Sequence, residues 1–231
     1  MMKRPELKPT LNQTFELVGR GEYDFASVLD RSMRLQSENR IEEACNVRYG
    51  AVQRLMEVLP EDEEIVLEWG HRNSRAALEL LQASASDHFL IGDLEMAAAL
   101  AELLLELDPE DHLESVWLAG FCYVAMEEYE LFDEIADDIS DKSPEKHILT
   151  MWSHFRRTGE LPAAEAAAFK GRFAICFNEF TADEHPVDEE YMADIEKDAP
   201  SQRTQARHLW FQTESLWSQH PGFIEALRRC R

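Results

Sequence analysis

The sequence predicts an all-α protein built of stacked antiparallel helical hairpins, and three observations carry that prediction. Apolar residues recur at spacings of three and four, as in Ile41, Ala44, Val47, Ala51, Leu55 and Val58, which places them on one helical face. No run of useful length alternates apolar and polar residues as a half-buried strand does. The stretch from Gly92 to Pro144 repeats itself: Pro109 and Pro144 lie 35 residues apart, and each closes a turn, an apolar helix and an acidic stop. Self-similarity near that period marks helical hairpins, because one hairpin cannot bury its own apolar face and must stack on a neighbour.

Taken in order, residues 1–9 are polar with two prolines and are expected to fray. Thr10 is placed to cap a short helix carrying Leu11, Phe15 and Val18. A helix from about Tyr23 to Leu35 turns Phe25, Val28, Leu29 and Leu35 inward. Asn39 caps the next, Arg40 to Leu59, which Pro60 stops. Glu61-Asp62-Glu63-Glu64 then puts acids in the first turn of another helix, where the macrodipole favours them. That helix carries Ile65, Val66, Leu67 and Trp69, then Ala76, Ala77, Leu80 and Leu81. Gly92 to Ala97 opens a helix that runs to Leu107 and is expected to pack on the following one, Asp111 to Ala125. Glu128 to Ile139 comes next. Glu145 to Thr158 sets Ile148, Met151, Trp152 and Phe155 on one face. Gly21 to Ala26 and Gly159 to Ala164 repeat the glycine–apolar–alanine turn of Gly92 to Ala97, and the helix after Gly159 continues through Phe169 and Phe173 towards Phe177. Thr181 to Pro200 is acidic and leaves the repeat, with one short helix around Glu189 to Ile195. Ser201 caps a final pair of helices, the second begun by Pro221. One domain is expected over 1–231, repeat-like over 10–170 and a divergent helical cap over 171–231.

These residues resemble the tetratricopeptide repeat (TPR) family, whose pattern is W-x2-L-G-x2-Y, then A-x3-F, then P, over about 34 residues. Gly120-x2-Tyr123 matches the G-x2-Y element. Ala97 to Pro109 and Phe132 to Pro144 keep the alanine-to-proline spacing of 12, and Leu94, Tyr129, Tyr23 and Leu161 take the apolar turn position. The repeat is degenerate. Trp117 falls one residue late for the tryptophan slot, Phe132 stands where alanine is expected, and Ala101 and Ala136 replace the aromatic of A-x3-F. The resemblance implies an α–α superhelix whose first helices line a groove for a peptide or a partner helix. Carried over residue by residue, it places Trp117 and Phe121 in that groove, followed by Leu149 and Ser153 in the next hairpin. The same residues read equally well as core, since an apolar helical stripe is first of all a packing stripe. The family's carboxylate clamp, which grips acidic tails with Lys and Asn, is not expected, because Glu114 and other acids sit nearby.

The formal net charge is −23. It argues against nucleic acid, where Lys and Arg neutralising phosphates supply most of the affinity, and for basic or neutral partners. From Ala76 to Asp141 there is no Lys or Arg and there are 18 acids. Glu130, Glu134 and Asp138 recur at i, i+4, as do Asp133, Asp137 and Asp141. Such pairs repel by a few tenths of a kcal/mol each. They read as a solvated face or as a docking surface for a basic partner. Asp137-Asp138-Ile139-Ser140-Asp141 spells DDxxD, which resembles the magnesium–diphosphate motif of prenyl and terpenoid synthases. The alternative reading is therefore a magnesium-dependent all-α enzyme using Asp137, Asp138 and Asp141.

Little else in the chain suggests chemistry. Cys45, Cys122, Cys176 and Cys230 are widely spaced, as in a reduced, cytoplasmic chain. The first residues lack the apolar core of a signal peptide, and Met96 to Leu105 is too short to span a bilayer. His147 and His154 share a helix without a third ligand. No nucleophile elbow, phosphate loop or dinucleotide fingerprint occurs. The expectation is a non-enzymatic scaffold, with no catalytic residue, metal or cofactor. It binds a protein or peptide, a basic one on charge grounds, and neither nucleic acid nor membrane.

Overall fold

The computed structural model describes residues 5–60 and 62–231. It is mostly helical, with twelve α-helices among the described residues and one small β-hairpin. The chain gathers into two compact units that divide between Cys122 and Tyr123, where the sequence reading places one domain with a change of character after residue 170.

The first unit departs from expectation at its start. β1 (Glu6–Pro9) and β2 (Phe15–Val18) form an antiparallel hairpin in place of a helix capped by Thr10. Pro9 lacks the N–H a helix would use. The tip closes instead through Thr10 N–H donating to the Thr14 carbonyl at 2.8 Å. A second correction follows from the first. Residues 62–71 are turns and extended chain, not the first half of a helix. Their backbone is occupied elsewhere: Phe15 N–H donates to Val66 O, Glu68 N–H to Phe15 O and Leu67 N–H to Leu107 O, each at 2.8 Å. The run Ile65-Val66-Leu67 is suited to that extended role by its β-branched residues.

Five helices follow: α1 (Phe25–Ser37), α2 (Ile41–Met56), α3 (Arg72–Ile91), α4 (Leu94–Leu107) and α5 (Val116–Met126). α1, α2 and α3 pack on one another, and α4 packs principally on α3, the helix before it. The expected pairing of α4 with the helix after it is thus not the main one. α5 begins at Val116, five residues later than predicted, because Asp111 sits at φ 46°. Its carboxylate accepts from Ser115 N–H at 2.6 Å and Val116 N–H at 3.1 Å, and burial raises its pKa. The core of this unit is Leu17, Phe25, Leu55, Leu67, Leu78 and Phe89, all 2% exposed or less.

The second unit contains α6 (Tyr129–Ile135), α7 (Pro144–Thr158), α8 (Ala163–Arg172), α9 (Ala174–Phe180), α10 (Glu189–Ile195), α11 (Gln202–Gln219) and α12 (Pro221–Arg228). α6 ends at Ile135 instead of Ile139. Asp133, Glu134, Asp137 and Asp138 crowd its C-terminal end, where the macrodipole disfavours negative charge, and the Lys146 ammonium bonds the Ala136 carbonyl. The helix expected to run from Pro162 towards Phe177 breaks at Phe173, at φ −121° and ψ 48°, two residues after the weak helix former Gly171. The two halves then part: α8 packs on α7, and α9 packs on α11, where Phe180 meets Trp210 edge-on at 5.4 Å. Trp152 of α7 also reaches α11, meeting Trp217 edge-on at 5.0 Å. The Trp217 indole N–H donates to Thr213 Oγ1 at 2.8 Å.

A single turn device recurs along the chain. Asn39, Gly92, Glu127 and Gly159 follow α1, α3, α5 and α7, with φ of 60°, 83°, 66° and 77°. After three of these helices the next N–H reaches back five residues: Arg40 to Leu35 O at 2.9 Å, Asp93 to His88 O at 3.0 Å and Glu128 to Tyr123 O at 2.9 Å. This is the Schellman motif, which satisfies the last helical carbonyls while reversing the chain. Asp93 then caps α4 by accepting from Met96 N–H at 3.4 Å.

Two tests of the fold follow. Ala97 is fully buried, so Ala97→Leu overpacks its site and costs about 1–3 kcal/mol; a thermal melt unchanged by the substitution contradicts this placement. Asp194 accepts from Lys197 Nζ at 2.7 Å and Ser201 N–H at 2.8 Å, and Lys197, Thr204 and Ser201 hold its carboxyl well below the usual range. A depressed pKa gives stability that is present above the unfolded value and lost as pH falls through the folded one. Asp194→Asn therefore lowers the melting temperature at pH 7, and the gap narrows as pH falls below about 4.

Candidate functional site

The charge excess is not uniform at the level of side chains. In the first unit the arginines are largely committed: Arg48 to Asp87 at 2.8 Å, Arg54 to Glu22 at 3.3 Å, Arg72 to Asp30 at 3.8 Å and Arg75 to Glu79 at 3.3 Å. Beyond Arg75 no Lys or Arg occurs until Lys142. Arg40 likewise pairs with Glu38 and Glu43, at 3.1 and 2.6 Å.

The expected acidic face on α6 divides in two. Asp133 pairs with Arg157 at 2.6 Å and Asp137 lies 3.6 Å from Lys146, so α7 neutralises one flank. Arg156 likewise reaches Glu127 at 2.6 Å. Glu130, Glu134 and Asp138 are exposed and form no ion pair among the described residues. Glu130 and Glu134 share a face of α6, whereas Asp138 lies in the turn beyond it, so the three do not make one helical stripe.

The groove residues fare differently. Phe121 and Leu149 are fully buried and Ser153 is 5% exposed; such side chains pack and do not present a surface. Trp117 is half-buried and meets Phe121 edge-on at 5.9 Å. Trp117 and Phe121 belong to the first unit, and Leu149 and Ser153 to the second. Their apolar spacing reports the core, the other reading of the same stripe.

No three His, Cys, Asp or Glu side chains converge as a metal site among the described residues. Asp137 and Asp138 are exposed in the turn after α6 and Asp141 in the next one, so they do not offer the converging oxygens that magnesium requires. His154 is exposed, and His147 packs beside Phe173 at 5.1 Å, with its Nδ1 4.0 Å from Glu165. All four cysteines are free thiols. Burial pushes the Cys122 thiol up to about 12, which leaves it protonated and inert. No helix among the described residues is long and apolar enough to cross a membrane.

Three constellations escaped the sequence reading. In the second unit, Arg207 donates to Glu179 through Nε at 3.0 Å and Nη2 at 3.3 Å, and to the Pro186 carbonyl at 2.9 Å. His185 Nδ1 lies 3.0 Å from the same carboxylate, and its ring stacks on Trp210 at 3.9 Å. This buried pair ties the 182–188 segment to α9 and α11. In the first unit, Asp108 holds His112 Nδ1 at 2.7 Å, and the imidazole stacks on Trp69 at 4.5 Å. Neither histidine bonds a serine, threonine or cysteine among the described residues, so neither assembles a base with a nucleophile.

The third constellation is a cleft of about 560 Å³ between residues 59–60 and 62–66 on one side and the end of α4 on the other. Leu59, Ile65, Val66, Leu103 and Leu107 supply apolar surface, and Asp62, Glu63, Glu64 and Glu106 supply carboxylates. The bond from Leu67 N–H to Leu107 O fixes one wall against the other. No cation lines it, and the C-terminal end of α4 adds its own partial negative charge. Its parts lie some forty residues apart in sequence, and only the observed course of 62–68 brings them together.

A surface with this much uncompensated charge repels itself. Raising NaCl from 0.01 to 0.15 M shortens the screening length from about 30 Å to about 8 Å and is expected to raise the melting temperature. A fall over that range would show that attractive pairs dominate.

No protein-family model, no curated protein and no solved structure matches the chain.

Proposed function

We propose that the chain is a non-enzymatic interaction module, a TPR-like helical scaffold that binds a basic protein or peptide segment. The observation that carries this reading is the split of the α6 carboxylates. Asp133 and Asp137 have cationic partners on α7, whereas Glu130, Glu134 and Asp138 are exposed without one. Carboxylates held on α6 and the turn after it and left uncompensated provide a negative field that steers basic partners and accelerates their capture. The recurrent turns at Gly92, Glu127 and Gly159, spaced by 35 and 32 residues, support the TPR-like part of the reading. The half-buried Trp117 remains its aromatic contribution to a binding surface.

The test is the association rate of a fluorescent lysine- and arginine-rich peptide, followed by stopped flow against ionic strength. Changing Glu130, Glu134 and Asp138 together to Gln, Gln and Asn is expected to leave the fold intact and to slow capture severalfold at low salt. Equal rates for both proteins, independent of salt, would reduce this face to solvated surface. A calorimetric magnesium titration separates the module from a diphosphate-using enzyme: no saturable heat dependent on Asp137, Asp138 and Asp141 is expected.

A further inference from the structure

Resting on the reading that the chain binds a basic partner, we propose that the cleft between residues 59–60 and 62–66 on one side and the end of α4 on the other is the docking site, and that its occupant is a short extended segment of a partner protein in which lysine or arginine alternates with large aliphatic residues. The cleft is apolar where Leu59, Ile65, Val66, Leu103 and Leu107 line it. An aliphatic side chain entering it gains the transfer free energy of leaving water. Its volume of about 560 Å³ falls within the range that holds several side chains or one ligand.

The charge around the cleft selects the rest of the occupant. Asp62, Glu63, Glu64 and Glu106 have no ion-pair partner among the described residues. The arginines flanking them in sequence, Arg54, Arg72 and Arg75, are engaged with Glu22, Asp30 and Glu79. An uncharged apolar ligand would leave these four carboxylates repelling one another, and an acidic one would add to the repulsion. A basic one relieves it. A metal ion is not the natural occupant, because no three of these groups converge on a point. Alternation matters because successive side chains of an extended chain point to opposite sides. Aliphatic groups then face the floor while cations face the acids and solvent. The 64–68 part of that wall is extended chain, and Val66, Leu67 and Glu68 are fixed on Phe15 and Leu107 by three backbone bonds, so this part of the site is formed before the ligand arrives and less ordering opposes binding.

The experiment uses the full chain and three labelled hexapeptides: alternating lysine and leucine, lysine only, and alternating glutamate and leucine. Fluorescence anisotropy at 0.15 M salt is expected to rank lysine–leucine first, lysine-only at least fivefold weaker, and glutamate–leucine without detectable binding. Glu63→Lys with Glu106→Lys, both exposed positions, weakens the lysine–leucine peptide at least tenfold. Leu103→Gln, at a half-buried position, removes its advantage over lysine-only. Melting temperatures establish that the variants fold. Wild-type affinity in both cleft variants overturns the proposal. If affinity is instead lost in the Glu130, Glu134 and Asp138 variant alone, the cleft is wrong while the basic-partner reading stands; if no basic peptide binds any version, both fail. Self-association abolished by the cleft substitutions would put a second copy there and would likewise overturn it.

Discussion

A helix that closes in a Schellman-type turn needs a left-handed residue at its end, and this fold meets that need after α1, α3, α5 and α7. Asn39, Gly92, Glu127 and Gly159 meet it with three different side chains. Glycine does so without strain. Asparagine tolerates the left-handed region better than most residues, whereas an ordinary side chain there costs about 1–2 kcal/mol. At Glu127 the cost coexists with a 2.6 Å ion pair to Arg156, so the turn that starts α6 is held by a side-chain contact as well as by its backbone. The direction in which each second helix leaves, and so the face it buries, follows from these four positions.

Charge is the second constraint, and it acts through position more than through total. Acids near the start of a helix are favourable, as Glu95 is in the first turn of α4. Acids near the end are not, and α6 stops early where they accumulate. The same dipole argument that reads Glu61 to Glu64 as a helix start fails because the backbone after them is claimed by β2 and by the last carbonyl of α4. Local electrostatics proposes an element; a hydrogen-bonding partner elsewhere in the fold can outbid it.

That contrast explains what was legible. α10 runs from Glu189 to Ile195 and α12 from Pro221, and Ser201 caps α11, all as read from the residues. Each of these is specified locally, by a proline, a cap or an apolar period. The hairpin at residues 6–18 was not legible, because a stretch as short as Phe15–Val18 fits a strand or one helical turn equally well. The cleft was not legible because one wall comes from 59–60 and 62–66 and the other from 103–109. The counter-ions of Asp133 and Asp137 come from the next helix, and those of Glu179 from a helix 28 residues away. Of the two aromatics read as either groove or core, Phe121 is buried and Trp117 half-buried, a difference that periodicity does not carry, since it finds the inward face of a helix without saying what covers it.

The small β-hairpin has a bearing on how the protein behaves in a crowded solution. β2 is covered on one side by β1 and on the other by the Leu67 segment, which leaves β1 as the outermost strand. An open strand edge is a template on which other chains can polymerise. Here it is four residues long, carries Glu6 and Lys8, and ends in Pro9, which has no N–H to offer. The one sheet among the described residues is thus terminated by residues that resist cross-strand aggregation, and the chain's large net negative charge adds mutual repulsion between molecules to the same effect.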